Sequence, residues 1–124
     1  MATVTLRLRK SNLGSPDEVR SLPKTRIEVC KLGDHTLLRA TFEPGWKWSE
    51  CVKPKVGTEW CEVPHLNYGI SGRLQIVMRD GSRWLLEPGD FAEIPAGHDA
   101  WVVGDEPAVA LDFIGGETYG KPSR

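Results

Sequence analysis

Apolar and polar residues alternate in short runs along much of the chain, which is typical of strands with one buried face. These runs predict strands over residues 3–9, 26–32, 35–42, 73–78, 83–86, 91–94, 99–103 and 108–113, and further extended segments over 59–63 and 66–71. Turn residues separate the runs, and Asp80-Gly81 is typical of a two-residue hairpin loop. Helical periodicity is absent, so the pattern predicts an all-β sandwich or barrel.

Four stretches depart from this pattern. Ser15 followed by Pro16 allows at most one helical turn, which ends by Leu22. Residues 46–50 alternate aromatic and polar side chains, and residues 53–57 contain proline and glycine and are predicted to form a loop. The chain from Gly115 onward is predicted to be a mobile tail.

The size of the chain favours one domain. With 124 residues it can form a single hydrophobic core without disulfides. We expect one domain over residues 1–124, with a core barrel over about 26–114. An N-terminal strand and loop (1–25) and a C-terminal tail (115–124) flank that barrel.

Composition excludes several classes of partner. The formal net charge of −1, with basic and acidic residues interspersed, argues against binding to nucleic acid or to an anionic membrane. No stretch is long and apolar enough to span a bilayer, and the N-terminus lacks the features of a signal peptide. Three widely spaced cysteines do not form a secreted disulfide framework, so a cytoplasmic location is expected.

Two glycine motifs resemble those of a known family. Gly89-x5-Pro95-x-Gly97 is similar to the start of the second cupin motif, and Gly72 is similar to the glycine that closes the first. The Asp80-Gly81 hairpin between the motifs fits the same pattern. The resemblance implies a double-stranded β-helix, or jelly-roll barrel, whose pocket often holds one divalent metal. It also implies a homodimer.

The usual cupin metal ligands are only partly present. The resemblance places His65 at the last ligand position of the first motif and Glu59 and Cys61 at the two upstream positions, where the family has histidines. In the second motif the ligand position holds Ala100, and the nearest histidine is His98. A standard three-histidine, one-carboxylate site is therefore not intact.

The residues still predict a metal site of another kind. Four candidate residues all occupy odd-numbered positions, so one strand through them would present all four on one face. They are Glu59, Cys61, His65 and Asn67. Three of the expected ligands are Cys61, His65 and His98, and Cys51 is a candidate fourth. Sulfur and imidazole donors favour zinc, with iron next. The alternative is that the cysteines are small buried apolar residues without a ligand role.

The aromatic residues allow two interpretations. Trp48, Trp60 and Trp101 are candidates to line the ligand pocket together with Glu59 and Asn67, but tryptophan is equally suited to core or interface packing.

Three functional hypotheses follow. The first is a cupin that binds a divalent metal and a small organic molecule, as an enzyme of the oxygenase, isomerase or lyase type. The second is a ligand-binding or sensor protein without a metal. The third is a purely structural barrel that serves oligomerisation. A Cys61 nucleophile with His65 as its base is a further alternative, for which the sequence identifies no third residue.

Overall fold

The computed structural model describes residues 7–121. Within this range the chain forms nine strands and two single-turn helices. In chain order the elements are β1 (Glu18–Leu22), β2 (Thr25–Leu32), β3 (His35–Phe42), α1 (Trp48–Cys51), α2 (Lys53–Val56), β4 (His65–Ser71), β5 (Leu74–Met78), β6 (Arg83–Leu86), β7 (Phe91–Ile94), β8 (His98–Val102) and β9 (Ala108–Asp112). The prediction of an all-β fold is confirmed.

The strands form two antiparallel sheets. One has six strands in the order β1-β2-β3-β9-β4-β7, and the other has three in the order β6-β5-β8. Alternate residues of both sheets enter one core, whose most deeply buried side chains include Ile27, Val29, Leu38 and Trp48. The hairpin predicted at Asp80-Gly81 joins β5 to β6, and Gly81 has a φ of 92° there.

The sequence allows one helical turn after Ser15, but residues 15–22 do not form it. Residues Glu18–Leu22 form strand β1 instead, paired with β2 in a register that sets Glu18 opposite Val29. The Asp17 carboxylate accepts a hydrogen bond of 2.7 Å from the backbone N–H of Lys31 and so fixes the start of this pairing. A single isolated turn is unfavourable to nucleate, so pairing along β2 prevails over the local signal.

Helical turns occur later in the chain than predicted. Helix α1 begins within the alternating segment 46–50, and α2 lies in the segment 53–57 that was predicted to be a loop. The signals for α2 were present in the sequence: Pro54 lies in its first turn, and Gly57 ends it with a φ of 85°. No strand is assigned to residues 7–9, and residues 3–6 of the predicted first strand lie outside the described range.

The C-terminal segment 115–121 packs against the barrel instead of extending from it. Tyr119 is 5% exposed and lies edge-on to the ring of His65. The buried guanidinium of Arg20 donates hydrogen bonds to the backbone carbonyls of Gly116 (2.6 Å) and Tyr119 (2.5 Å). Glu18 neutralises this guanidinium through a 2.7 Å ion pair. An arginine on β1 therefore anchors the end of the chain across the barrel.

Residues 7–121 contain no helix long and apolar enough to cross a membrane.

The Arg20 anchor predicts an unequal effect of two similar substitutions. Arg20→Met leaves the carbonyls of Gly116 and Tyr119 without their donor and removes the closest cation from Glu18, so we expect a loss of about 2–4 kcal/mol in unfolding free energy. Arg26→Met removes a half-exposed ion pair with Glu28 at 3.5 Å and should cost less than about 1 kcal/mol. Urea unfolding followed by tryptophan fluorescence measures both values. Equal losses in the two variants would contradict the anchoring role.

Candidate metal centre

Three backbone hydrogen bonds bring the segment before β4 against the start of β8. The N–H of Cys61 donates to the carbonyl of His98 at 2.9 Å, and the N–H groups of Gly97 and His98 donate back to the carbonyl of Cys61 at 2.8 and 3.3 Å. Gly97 turns the chain with a φ of 94°, a conformation that glycine adopts without strain. The Pro95-Ala96-Gly97 bend thus places His98 beside Cys61, and His65 follows Cys61 by one short loop.

The side chains of Cys61, His65 and His98 converge. Their candidate ligand atoms all lie within 4.8 Å of one another, and Sγ of Cys61 is 3.7 Å from Nε2 of His65. The centroids of the two imidazole rings are 5.1 Å apart. The three residues are 2%, 6% and 4% exposed, respectively, so the cluster lies inside the barrel.

Each imidazole already uses its Nδ1 atom in a hydrogen bond. Nδ1 of His98 is 2.8 Å from the carbonyl oxygen of Pro95, which can only accept, so this nitrogen carries the proton. Nδ1 of His65 donates in the same way to Oδ2 of Asp112. In a neutral imidazole the other nitrogen, Nε2, then has a free lone pair. Both rings are therefore fixed in the tautomer that a metal ligand requires.

Asp112 is the residue that sequence reasoning missed. Its Oδ1 accepts hydrogen bonds from the backbone N–H groups of Leu66 (3.2 Å), Ile114 (3.1 Å) and Gly115 (3.0 Å). Burial raises the pKa of Asp112, but the hydrogen bond and charge of His65 and the backbone donors outweigh it and lower that pKa overall. The carboxylate is therefore ionised and held in one orientation.

Gly115 lets the chain pass close to this pair. A Cβ atom at Gly115 would overlap the carboxylate of Asp112 and lie 2.8 Å from Nδ1 of His65. A larger residue at this position would push the two side chains apart.

Burial keeps the other two members of the cluster uncharged. It is the main cause that lowers the pKa of His98 to about 4, supported by the nearby His65 and opposed by the Pro95 carbonyl. Burial likewise raises the pKa of Cys61 to about 12, opposed by a backbone hydrogen bond from Val63. At neutral pH His98 is a neutral imidazole with a free Nε2, while Cys61 is a thiol whose proton a metal ion would displace.

Two spaces adjoin the cluster. An inner cavity of about 40 Å³ is lined mostly by apolar side chains of both sheets, together with His65, His98, Asp112 and Asn67. An outer cleft of about 410 Å³ is bordered by Cys61, among others. Trp48 and Tyr119 line both spaces and so form the wall between them. Burial raises the pKa of Tyr119 well above its usual value, so its hydroxyl stays protonated.

The remaining predicted site residues divide between the cavity and its surroundings. Trp48 and Asn67 line the inner cavity. Glu59 is exposed, Trp60 lies under Arg79, and Trp101 lies under Lys47, all outside the cavity lining. Cys51 is buried on α1 but is not among the three residues whose ligand atoms converge.

The donor set fits zinc. One thiolate and two imidazole nitrogens supply three of the four positions of a tetrahedral zinc site, and such sites keep the fourth for water or substrate. The second ligand sphere is also present, because a carboxylate and a carbonyl orient the two imidazoles.

The lowered pKa of His98 predicts a pH dependence of stability in metal-free protein. The unfolded chain binds a proton near pH 6.5 and the folded chain only near pH 4, so this stabilisation is complete above pH 6.5 and is lost as the pH falls towards 4. The full effect is about 3 kcal/mol. Urea unfolding should show that the unfolding free energy of wild type falls from pH 7 to pH 5. In His98→Gln this fall should be smaller. His35→Gln, at the exposed first residue of β3, is the control, and an unchanged pH dependence in His98→Gln would contradict this role of His98.

Of three comparisons with known proteins, only the one with solved structures finds a match. No family model matches the sequence. No curated protein matches it either.

Solved structures do match. A cupin-like protein from Thermotoga maritima aligns with a TM-score of 0.55 at 18% identity, over 79% of this chain and 72% of the other. A sugar phosphate isomerase of a cupin superfamily, from Silicibacter pomeroyi, aligns with a TM-score of 0.62 at 22% identity, over 85% of this chain and 74% of the other. The polyketide cyclase RemF from Streptomyces resistomycificus aligns with a TM-score of 0.61 at 16% identity, over 86% of this chain and 78% of the other. The chain is a small cupin barrel in fold, as its glycine motifs predict.

Proposed function

We propose that the protein binds one divalent metal ion, zinc by preference, through Sγ of Cys61 and Nε2 of His65 and His98. The observation that carries this proposal is the pair of Nδ1 hydrogen bonds, to Asp112 and to Pro95, that leave both Nε2 atoms free. A buried histidine with a structural role alone would need no second histidine and thiol within 4.8 Å of it.

We further propose that the site is catalytic and acts on a small organic molecule. When bound, zinc supplies Lewis-acid polarisation of an oxygen atom or an activated water. Zinc has no redox chemistry, so an isomerase or lyase type of reaction is favoured over an oxygenase. An isomerase and a cyclase are among the solved proteins of the same fold, which supports a non-redox reaction.

The chain's own residues have distinct tasks in this proposal. Asp112 keeps the proton of His65 on Nδ1, and the Pro95 carbonyl does the same for His98. The apolar lining of the inner cavity excludes bulk water from the reacting atoms. The outer cleft, at about 410 Å³, has the size of a small-molecule site and borders Cys61, so it is the place for the larger part of a substrate.

Metal content tests the proposal. Protein purified without an affinity tag and dialysed against zinc should hold one zinc ion per chain by elemental analysis. Cys61→Ala and His65→Ala each remove a ligand and should abolish stoichiometric binding. Asp112→Asn keeps all three ligands but weakens the orientation of His65, so its zinc affinity should fall by about 10- to 100-fold in chelator competition.

Two matched variants control for general damage. Cys51→Ala removes a buried cysteine outside the cluster, and His35→Ala removes an exposed histidine. Both should bind zinc like wild type. Sub-stoichiometric metal in wild type, unchanged in the Cys61 and His65 variants, would overturn the metal site and leave the metal-free ligand-binding protein as the better hypothesis.

A second candidate rests on the same side chains. Cys61, His65 and Asp112 are arranged as nucleophile, base and orienting carboxylate, with Sγ 3.7 Å from Nε2. A pKa of about 12 for Cys61 argues against it, because a reactive cysteine has a lowered pKa. Alkylation of metal-free protein by iodoacetamide at pH 7 separates the two. Faster labelling of Cys61 than of Cys51, lost in His65→Ala, would favour the nucleophile.

A further inference from the structure

Trp46 has a polar atom without a partner. The residue is 2% exposed, and its indole Nε1 is buried with no hydrogen-bond acceptor among residues 7–121. The other side-chain nitrogen and oxygen atoms at that depth all have a partner within the described range. Burying an N–H group without an acceptor is unfavourable, so native proteins rarely leave one in this state.

The backbone and a neighbouring ring hold Trp46 in place. Its N–H donates to the Glu43 carbonyl at 3.0 Å, and its carbonyl accepts from the N–H of Val102 at 3.0 Å. The indole packs on the ring of Phe42 with 4.0 Å between centroids. Trp46 also lines the inner cavity that contains His65 and His98. The unpaired donor therefore belongs to a fixed side chain in the wall of this cavity.

We propose that the indole N–H of Trp46 donates a hydrogen bond to a carbonyl oxygen of the ligand in the inner cavity, and so selects a compact, uncharged carbonyl compound. This inference rests on the proposed function, because it describes the ligand of the same site.

Size supports a compact group. The cavity measures about 40 Å³. One water molecule needs roughly 10–15 Å³ of such space, so a group of a few heavy atoms fits and a bulky one does not. The ligand that reaches Trp46 is therefore compact.

Charge supports a neutral group. The titratable side chains that line the cavity are His65, His98, Asp112 and Tyr119. With a divalent cation bound, the thiolate of Cys61 and the carboxylate of Asp112 balance its two positive charges. A carboxylate ligand would add an uncompensated charge to this buried space, whereas a neutral carbonyl adds none.

Acetamide and acetate are matched probes, since they have nearly the same size and differ in charge. Each is titrated into wild-type protein carrying ¹⁵N-labelled tryptophan, in separate zinc-free and zinc-loaded samples. The Trp46 indole resonance is assigned by its loss in Trp46→Phe. We expect it to shift saturably with acetamide, at concentrations at which acetate has no effect.

Trp46→Phe measures the contribution of the donor. Methyl resonances of Ala100 and Ala110, which line the cavity, report binding in the absence of the indole. Acetamide affinity should fall about three- to tenfold, as for the loss of one hydrogen bond. Trp101→Phe, outside the cavity, should bind acetamide like wild type.

The outcomes separate this inference from the proposed function. A Trp46 shift with acetamide in protein that takes up no zinc would support the donor role and overturn the metal site. Full zinc uptake with a Trp46 resonance insensitive to acetamide would support the metal site and overturn the donor role. An internal water alone would then accept this N–H. A stronger response to acetate would overturn the selection of an uncharged ligand. If Trp46→Phe does not fold, the Trp46 resonance is assigned by elimination from Phe variants of the other four tryptophans, and the wild-type titration still decides.

Discussion

The hydrogen bond between Nδ1 of His65 and the carboxylate of Asp112 is the interaction on which the rest of the site depends. It fixes the tautomer of His65 and thereby turns Nε2 towards Cys61 as a free ligand atom. The carboxylate is itself fixed by three backbone N–H groups, two of which come from the chain just after β9. A buried ionised group is tolerated here because every part of it is hydrogen-bonded. Hydrogen bonds thus connect the ligand His65, through Asp112, to the chain segment that follows β9.

This connection also explains why the C-terminal segment packs on the barrel. Gly115 is small enough to pass the His65–Asp112 pair, and four residues later Tyr119 covers the ring of His65. The guanidinium of Arg20 holds this segment from the opposite side through two backbone carbonyls. The result is a small inner cavity beside a larger cleft, with aromatic side chains between the two.

The fold was predictable from local signals, whereas the site was only partly so. The hairpin at Asp80-Gly81 and the Pro95–Gly97 bend depend on backbone conformations that few residues adopt, so short sequences specify them. Parity and the motif spacing identified Cys61, His65 and His98. Asp112 was missed because its contact with His65 spans 47 residues, although an aspartate in phase with the buried Ala108 and Ala110 was a usable signal. Glu59 is exposed because residues 59–64 form no continuous strand, only an isolated bridge between Cys61 and His98.

Zinc X-ray absorption spectroscopy tests the central claim most directly, because it reports the ligand atoms themselves. If Cys61, His65 and His98 hold the ion, the spectrum should show one sulfur at about 2.3 Å and two imidazole nitrogens at about 2.0–2.1 Å, completed by one further light atom. A zinc shell of nitrogen and oxygen alone, with no sulfur, would contradict this claim.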